Sequence, residues 1–236
     1  MVPCVPTIRS RMLKDFVSLI FPRMCLLSQQ SLAKGEHLIA TQARLAMPKF
    51  DLTETNLSLE RRVYSFAQID QAWAYYKFSK HGKVQKLLHA LKYQNYPEVG
   101  ELAGKWFGQA LRQNNNLQRI DLIVPVPLHK KKQKKRGYNQ CDYITWGLSE
   151  VLDIPWSTQI LVKTKNTDSQ TKKNRIERYQ NSHQAYAIQK NANIKGKHIL
   201  LVDDVVTTGA TLGACASLLL VGGCRAVSIA ALATPE

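Results

Sequence analysis

The stretch from His198 to Thr211 constrains the fold of this chain more than any other part of the sequence. It opens with an apolar run, Ile199 to Val202, and two acids, Asp203 and Asp204, follow directly. A short apolar run of this kind is typical of a strand that is buried on both faces, as in a parallel sheet. A small, hydroxyl-rich loop and a second apolar stretch come next, and they predict a turn followed by a helix.

The order of these groups indicates a site for a phosphorylated sugar. In open α/β sheets, ligands bind at the carboxyl ends of the strands, and the N-terminus of a helix favours a phosphate. The loop residues that would hold the phosphate are Thr207, Thr208, Gly209, Ala210 and Thr211. A phosphate would be repelled by Asp203 and Asp204, so we expect the acids to bind sugar hydroxyls or a cation such as Mg²⁺. The simpler alternative is an ordinary N-capped turn with solvated acids.

A second predicted strand ends in two prolines and leads into a basic segment. Pro125 and Pro127 mark its end, because proline cannot donate to a sheet ladder. Residues 128–140 form a basic loop in this prediction, and a helix follows from about residue 139 to 152. A strand end, a basic loop and a helix N-terminus again describe an anion site. The lysines alone would also suit a solvated or nucleic-acid-attracting loop, whereas Arg136 belongs to the more specific sequence Arg-Gly-Tyr-Asn-Gln.

Basic charge is concentrated in two segments. The chain has 236 residues and a formal net charge of +16, which indicates polyanionic partners such as phosphates, pyrophosphate or nucleic acid. Residues 130–136 contribute +6 and residues 163–178 contribute +4. Residues 163–181 have almost no apolar side chains, so we predict a mobile, basic, helical flap there. Solvated surface loops are the alternative for both segments.

The remaining pattern predicts an α/β domain with a smaller N-terminal region. Further strands are predicted over 71–78, 158–162, 185–188 and 226–232, and helices over 84–93, 97–112 and 212–221. Strands that alternate with helices form parallel sheets. Residues 12–21 suit a short amphipathic helix, and the polar residues 51–60 suit a linker. We therefore divide the chain into a region over 1–60 and a domain over 61–236.

The cysteines argue for a reducing compartment. Their number is 5, and no two of them have the C-x-x-C spacing of a metal knuckle or redox motif. We therefore expect a cytoplasmic protein without a disulfide framework. The most apolar N-terminal piece, residues 16–27, is interrupted by Pro22 and Arg23 and is too short to span a bilayer. We expect no stable membrane insertion.

Three blocks in this order resemble the ComF family of phosphoribosyltransferase-like proteins, which is associated with natural competence. They are Val124–His129 with Arg136–Gln140, then Asn166 and Thr167 with Ser169–Thr171 and Arg175, and finally Leu200–Thr211. The resemblance covers about residues 60–236. It implies a type I phosphoribosyltransferase-like fold, a parallel sheet flanked by helices, with a small N-terminal appendage.

The resemblance also implies roles for the residues. Asp203 and Asp204 would hold the ribose diol of phosphoribosyl pyrophosphate (PRPP), with Mg²⁺ nearby and bound directly or indirectly by them. The loop 207–211 would hold the 5-phosphate. The residues that would face the pyrophosphate are Arg136, Gln170, Thr171 and Arg175. Cationic groups and a metal suit that position, because a leaving pyrophosphate needs its charge stabilised. No residue is marked by the sequence as a general base.

One departure from the family concerns zinc. ComF proteins commonly carry an N-terminal knuckle of two C-x-x-C pairs, and the corresponding residues here are Cys25, Ser28, Ala40 and Ala43. A structural zinc site needs about four nitrogen or sulfur ligands, so we predict that this chain binds no zinc.

Two hypotheses remain open after this comparison. The first is a Mg²⁺-dependent phosphoribosyltransferase that uses PRPP and an acceptor that the sequence does not name. The second is a competence factor without turnover that senses PRPP or handles single-stranded DNA, since lysines attract both pyrophosphate and DNA. An unrelated phosphosugar-binding α/β protein is a third and weaker alternative. A homo-oligomer is compatible with each.

Overall fold

A computed structural model of the protein describes residues 21–114, 119–165 and 184–235. The chain divides into two compact units between Met47 and Pro48. In the first unit, α1 (Thr41–Leu45) follows a turn-rich segment whose buried residues include Cys25, Leu27 and Ile39. The predicted helix over 12–21 lies almost wholly outside the described residues, as does most of the predicted flap.

The second unit contains the remaining helices and strands. Its helices are α2 (Leu57–Tyr64), α3 (Lys83–Tyr93), α4 (Glu98–Arg112), α5 (Lys130–Arg136), α6 (Gln140–Leu152) and α7 (Ala210–Val221). Its strands are β1 (Ala72–Lys77), β2 (Leu122–Pro125), β3 (Leu161–Lys163), β4 (Tyr186–Ile188), β5 (His198–Val205) and β6 (Ala226–Thr234). Within the described ranges, no helix is both long and apolar enough to cross a membrane.

Four of the strands form the predicted parallel sheet, in the order β1-β6-β5-β2. The central strand β5 carries the apolar run of the sequence, and Ile199, Leu200, Leu201 and Val202 are all fully buried. Strands buried on both faces are what a near-continuous apolar run predicts. This confirms the predicted α/β class. The carboxyl ends of the strands meet at one edge, where the acid pair and the exit from β2 lie.

The strands β3 and β4 do not join this sheet. They pair with each other in antiparallel orientation, with Val162 opposite Ala187. The sequence predicted both as strands but placed them in the alternation of a parallel sheet. Each is only three residues long, and short strands of this kind carry no periodicity that specifies their partner.

The basic segment after β2 is a helix, so the prediction of a loop was wrong. Lysine is a good helix former, and both ends of α5 are capped. The His129 ring accepts a hydrogen bond from the Lys131 N–H, and Gly137 ends the helix in the left-handed region with φ +91°. The segment lacks an apolar face, and for that reason its periodicity did not indicate a helix.

Two predicted boundaries also differ from the structure. The predicted linker contains the start of α2, which Asn56 caps by accepting a hydrogen bond from Leu59 N–H, and Leu59 and Val63 are buried. Strand β5 continues through Val205, so the acids lie within its last residues instead of beyond its end. Asp203 pairs in register with Ala231 of β6. The sheet therefore holds the backbone of the acid pair.

Candidate functional site

The acid pair lies at the carboxyl edge of the sheet, held by the backbone around it. Asp203 Oδ1 accepts a hydrogen bond from the Asp204 N–H at 2.8 Å, and Asp204 Oδ1 accepts one from the Val205 N–H at 2.6 Å. Burial, and next the charge of Asp204, raises the pKa of Asp203 to about 7. Two buried carboxylates this close disfavour each other's ionisation, so the pair favours a cation or hydroxyl donors.

Lys92 supplies a cation to this pair. Its Nζ lies 2.8 Å from Asp204 Oδ2, and the two side chains are 22% and 7% exposed. Burial alone would lower the pKa of Lys92, but the charges of Asp204 and Asp203 outweigh it and raise the pKa above its ordinary value. Sequence reasoning missed Lys92, because it lies in the last turn of α3 and only the tertiary fold brings it to β5.

Cys141 forms another wall of the acid site. Its Sγ lies 3.5 Å from Asp203 Oδ1, and burial raises the pKa of the thiol well above its ordinary value, so the thiol keeps its proton and donates. Cys141 lies in the first turn of α6, whose cap is Asn139. The Asn139 amide also donates to the Val126 carbonyl oxygen at 3.1 Å. That hydrogen bond ties the start of α6 to the exit from β2.

The hydroxyl-rich loop lies beside the acids, as the sequence predicted. A small cavity of about 50 Å³ is lined by Asp203 and by all five residues of the loop 207–211. Gly209 has φ +76° and precedes α7, whose N-terminus faces this cavity with free N–H groups. The Arg62 guanidinium donates to the Thr207 carbonyl oxygen at 3.4 Å and to Thr234 Oγ1 at 2.9 Å. These hydrogen bonds connect α2, which carries Arg62, to the loop and to the end of β6.

The β3–β4 pair contributes a second lysine. Lys163 Nζ lies 4.9 Å from the centre of the Tyr186 ring, and the Tyr186 hydroxyl is hydrogen-bonded to the Thr211 side chain. Burial, and next the charge of Lys132, lowers the pKa of Lys163. A partly desolvated cation near the loop 207–211 suits an anionic ligand. Sequence reasoning placed Lys163 only at the start of the basic flap.

Of the four residues predicted to face pyrophosphate, Arg136 is the one that lies within the described ranges. Arg136 stacks on the Tyr93 ring, with its Cζ 5.6 Å from the ring centre, and hydrogen-bonds to the Gln140 side chain. Arg136 therefore contacts the residue that follows Lys92 in α3. Among the described contacts, none joins Arg136 to Asp203 or Asp204. Gln170, Thr171 and Arg175 lie outside the described residues.

The chemistry of the donor set fits Mg²⁺ as a partner shared with substrate. Among described residues, no group of three or more His, Cys, Asp or Glu side chains could hold a metal ion. Mg²⁺ is commonly bound through one or two carboxylates together with substrate phosphates and water. Asp203 and Asp204 supply those two carboxylates, and a phosphosugar would supply the remaining oxygens. That this chain binds no zinc stays a prediction.

A separate groove lies on the outer side of α6. Its lining includes Tyr138, Tyr143, Trp146 and Trp156, and its volume is about 370 Å³. Trp146 is 43% exposed and Trp156 36% exposed, which is high for tryptophan. Gln133 of the lysine-rich helix α5 lines the same groove. The structure thus places aromatic rings beside the strongest concentration of positive charge.

A parallel sheet that carries two acids and a threonine-rich loop at its carboxyl edge is typical of phosphoribosyltransferase-fold proteins. Residues 146–236 match the family described as Phosphoribosyl transferase domain. The match covers α7, both central strands β5 and β6, and the whole of the predicted site from Asp203 to Thr211. It confirms the predicted fold class.

The chain is also similar to three curated relatives whose names refer to competence or DNA utilization. It is 32% identical over 146 residues to the DNA utilization protein YhgH of Escherichia coli (strain K12), which covers 61% of this chain and 63% of that protein. It is 32% identical over 151 residues to Competence protein F of Haemophilus influenzae, covering 62% and 66%. It is 38% identical over 108 residues to Competence protein ComFC of Bacillus subtilis, covering 46% and 41%. The chain is similar to these competence-associated proteins, in agreement with the resemblance to the ComF family that its sequence motifs indicated.

The matched region spans less than two thirds of the length of these relatives. Among solved structures, the chain is similar to one described as the allosteric regulatory enzyme of purine biosynthesis, with 19% identity and a TM-score of 0.41 over 61% of this chain and 29% of that one. A TM-score of 0.41 is too low to support a conclusion about the fold or the function of this chain. The fold assignment rests on the strand order and on the matched domain.

Proposed function

We infer that this protein binds PRPP with Mg²⁺ at the acid pair and the threonine-rich loop, and transfers the phosphoribosyl group to an acceptor. The observation that carries the proposal is the cavity that Asp203 shares with the loop 207–211. The 5-phosphate and the diol of PRPP belong to one sugar. The loop 207–211, which suits the phosphate, and Asp203, which suits the diol, are adjacent here. The four described cysteines are free thiols, which fits a cytoplasmic enzyme.

Different residues of the site would bind and orient different parts of PRPP. The N–H groups at the start of α7 and the loop hydroxyls would bind the 5-phosphate. Asp203 and Asp204 would accept hydrogen bonds from the ribose 2- and 3-hydroxyls and thereby fix the ring. The bond between C1 and the pyrophosphate oxygen would break while the acceptor atom bonds to C1. Mg²⁺, when bound with the substrate, would stabilise the charge of the departing pyrophosphate.

The first test is a calorimetric titration of the full chain with PRPP in the presence of Mg²⁺. The matched variant is Asp203→Asn/Asp204→Asn, which keeps the shape of both side chains and removes both charges. Binding by the wild type that the variant loses would support the PRPP site and justify a screen of acceptors by pyrophosphate release. A folded wild type that binds no PRPP would overturn this proposal.

A second candidate function is the handling of single-stranded DNA, with or without PRPP sensing. It is favoured by the groove of Tyr143, Trp146 and Trp156 beside α5, because single strands bind where a positive surface adjoins aromatic rings on which bases stack. In the sequence, few aromatic residues stand near the lysines. The fold adds two tryptophans to them, and α5 presents Lys130, Lys131, Lys134 and Lys135 to solvent.

The test of this candidate separates charge from stacking. Lys131→Gln/Lys134→Gln/Lys135→Gln should weaken binding of a labelled oligonucleotide. It should also reduce the slope of log affinity against log salt concentration by about 0.7 for each of these lysines that neutralises a phosphate. Trp146→Ala/Trp156→Ala should weaken binding by about tenfold or more without changing that slope. Binding that neither variant alters would exclude this groove, and binding that PRPP competes away would place DNA at the acid site instead.

A further inference from the structure

Lys92 forms an ion pair with Asp204, and a bound phosphosugar would have to disrupt or share that ion pair. Its ammonium group lies 2.8 Å from Asp204 Oδ2, while the other oxygen of Asp204 accepts the Val205 N–H. Under the proposed function, Asp204 needs a carboxylate oxygen to accept a ribose hydroxyl. The ammonium group lies at Oδ2, the oxygen of Asp204 that does not accept the Val205 N–H. Diol binding and the Lys92 ion pair therefore compete for one atom or have to share it.

A lysine that leaves Asp204 needs another anion close by. The Lys92 side chain is mostly buried, and a buried ammonium without a counter-ion is strongly unfavourable. In PRPP the pyrophosphate is attached to C1, next to C2, whose hydroxyl Asp203 and Asp204 would bind. A group in contact with the acid pair would therefore lie close to the pyrophosphate of a bound PRPP. The flexible four-carbon stem of lysine permits that movement.

We propose that Lys92 is a pyrophosphate-binding residue that pairs with Asp204 in the absence of substrate and turns to the pyrophosphate when the ribose diol binds. The proposal rests on the PRPP site inferred above and deepens it. Its consequence is selectivity. PRPP supplies the anion that Lys92 needs after it leaves Asp204, whereas ribose 5-phosphate presents the same diol and 5-phosphate without one.

The end of α3 is fixed in a way that suits this role. The Tyr138 hydroxyl donates a hydrogen bond to the Leu91 carbonyl oxygen, and the Arg136 guanidinium stacks on the Tyr93 ring. Both neighbours of Lys92 in the chain are therefore anchored by the Arg-Gly-Tyr-Asn-Gln block, while the Lys92 side chain itself contacts the acid pair. Tyr138 acts on the site as a positioning residue through Leu91.

The experiment compares three ligands on four proteins. Calorimetric titration with PRPP, pyrophosphate and ribose 5-phosphate, each with Mg²⁺, is carried out on the full-length wild type, Lys92→Met, Lys92→Arg and Lys83→Met. The last variant is the matched control, because Lys83 begins the same helix about 13 Å away along its axis. Thermal unfolding checks that each variant is folded, and Tyr138→Phe replaces Lys92→Met if that variant is not.

The expected result is a selective loss of affinity. Lys92→Met should bind PRPP and pyrophosphate about tenfold or more weakly, as for the removal of a charge-assisted hydrogen bond. It should bind ribose 5-phosphate at least as tightly as the wild type, because no ion pair then competes with the diol. Lys92→Arg should recover most of the PRPP affinity, and Lys83→Met should not differ from the wild type. Tyr138→Phe should show the same selectivity to a smaller degree.

Other outcomes overturn the proposal in distinguishable ways. Equal weakening of PRPP and ribose 5-phosphate binding in Lys92→Met would mean that Lys92 only orients Asp204. Unchanged binding of all three ligands would mean that Lys92 does not act in recognition at all, although the PRPP site stands. A folded wild type that binds neither PRPP nor ribose 5-phosphate would remove the proposed function, and this inference with it.

Discussion

Gly104 and Gly147 face each other where α4 packs on α6, at a distance that leaves no room for a side chain. A Cβ atom on Gly104 would lie 3.2 Å from Gly147 Cα and 2.2 Å from the Ile144 carbonyl oxygen. A Cβ atom on Gly147 would lie 2.1 Å from the Glu101 carbonyl oxygen. The backbones of the two helices are therefore in direct contact. This packing sets the position of α6, and α6 carries Cys141 to the acid pair.

Gly147→Ala should consequently destabilise the protein. The added methyl group meets backbone, which cannot move aside as a flexible side chain would, and overpacking of this kind costs about 1–3 kcal/mol. The free energy of unfolding, measured by urea denaturation, checks this. Glu150→Ala on the same helix is the control, since its exposed ion pair with Lys105 contributes little. Equal stability of Gly147→Ala and wild type would show that the helices do not approach this closely.

Gly209→Ala should impair the proposed phosphate binding by the loop 207–211 more than it impairs the fold. Gly209 has φ +76°, and a Cβ atom there would lie 2.7 Å from the Arg62 carbonyl oxygen. The loop would have to move away from α2, so its N–H groups would no longer converge on one phosphate. We expect ribose 5-phosphate affinity to fall by about tenfold or more, as for the removal of hydrogen bonds to a charged group.

The control for that variant is Gly196→Ala. Gly196 also has a positive φ, +71°, but nothing lies within 4 Å of its Cβ position. It should show a similar backbone strain without any loss of ligand binding. If both variants bind ribose 5-phosphate as the wild type does, the loop 207–211 is not the phosphate site.

Local patterns made the core of the site predictable. The apolar run, the acids and the loop 207–211 are contiguous in the sequence. A buried parallel strand that leads into a helix therefore places the acids at the end of the strand and the loop before the helix. Short-range chemistry also identified Asn139 to Leu152 as a helix with a polar start. What the structure adds to these predictions is the sharing of one cavity by Asp203 and the loop.

Long-range contacts were not predictable from the same patterns. Lys92 has the pattern of the polar end of an amphipathic helix, and nothing around it in the sequence indicates that α3 ends at the acid pair. Trp156 follows α6 in a segment without periodicity, and it reaches the groove because that segment pairs with Ile123 at the free edge of β2. Such placements depend on how elements pack, which a single sequence does not encode locally.

Asp142 makes the stability of the protein depend on pH. Burial raises its pKa to about 6, although a hydrogen bond from Asn139 opposes the shift. Between the ordinary value of 3.8 and about 6, the folded protein keeps a proton that the unfolded chain has lost. Its contribution to stability therefore decreases as pH rises through this window.

Asp142→Asn should remove that dependence. We expect the variant to be more stable than the wild type by about 1 kcal/mol at pH 8, after allowance for solvent screening, and by less at pH 5. Urea denaturation at both pH values measures the difference. Asp51→Asn is the control, because hydrogen bonds from the Thr53 backbone and side chain lower the pKa of Asp51, and its replacement should not stabilise the protein at pH 8. A gain for Asp142→Asn that is equal at both pH values would contradict this origin.

Cys25 is the one cysteine at the four positions where the family resemblance implies a zinc knuckle. Cys25 is fully buried, and its Sγ accepts a hydrogen bond from the Ala40 N–H at 3.2 Å. Burial alone would raise the pKa of Cys25, but hydrogen bonds from the Ala40 backbone and from Ser28 lower it below its ordinary value. Sulfur that accepts backbone N–H groups is poised as a thiolate ligand. The surroundings of Cys25 therefore suit a thiolate, although Ser28, Ala40 and Ala43 supply no further thiol.

Ser28→Cys/Ala40→Cys/Ala43→Cys should restore zinc binding. These substitutions complete four thiols, the number that a structural zinc site needs, whereas the wild type should bind no stoichiometric zinc. Metal content after dialysis, together with the rise in thermal stability that bound zinc gives a folded site, measures the effect. Cys25→Ala in the triple variant is the control and should lose the metal. Zinc in the wild type would contradict our prediction directly. A triple variant without zinc would mean that these four positions no longer converge, and that the segment has diverged in backbone as well as in ligands.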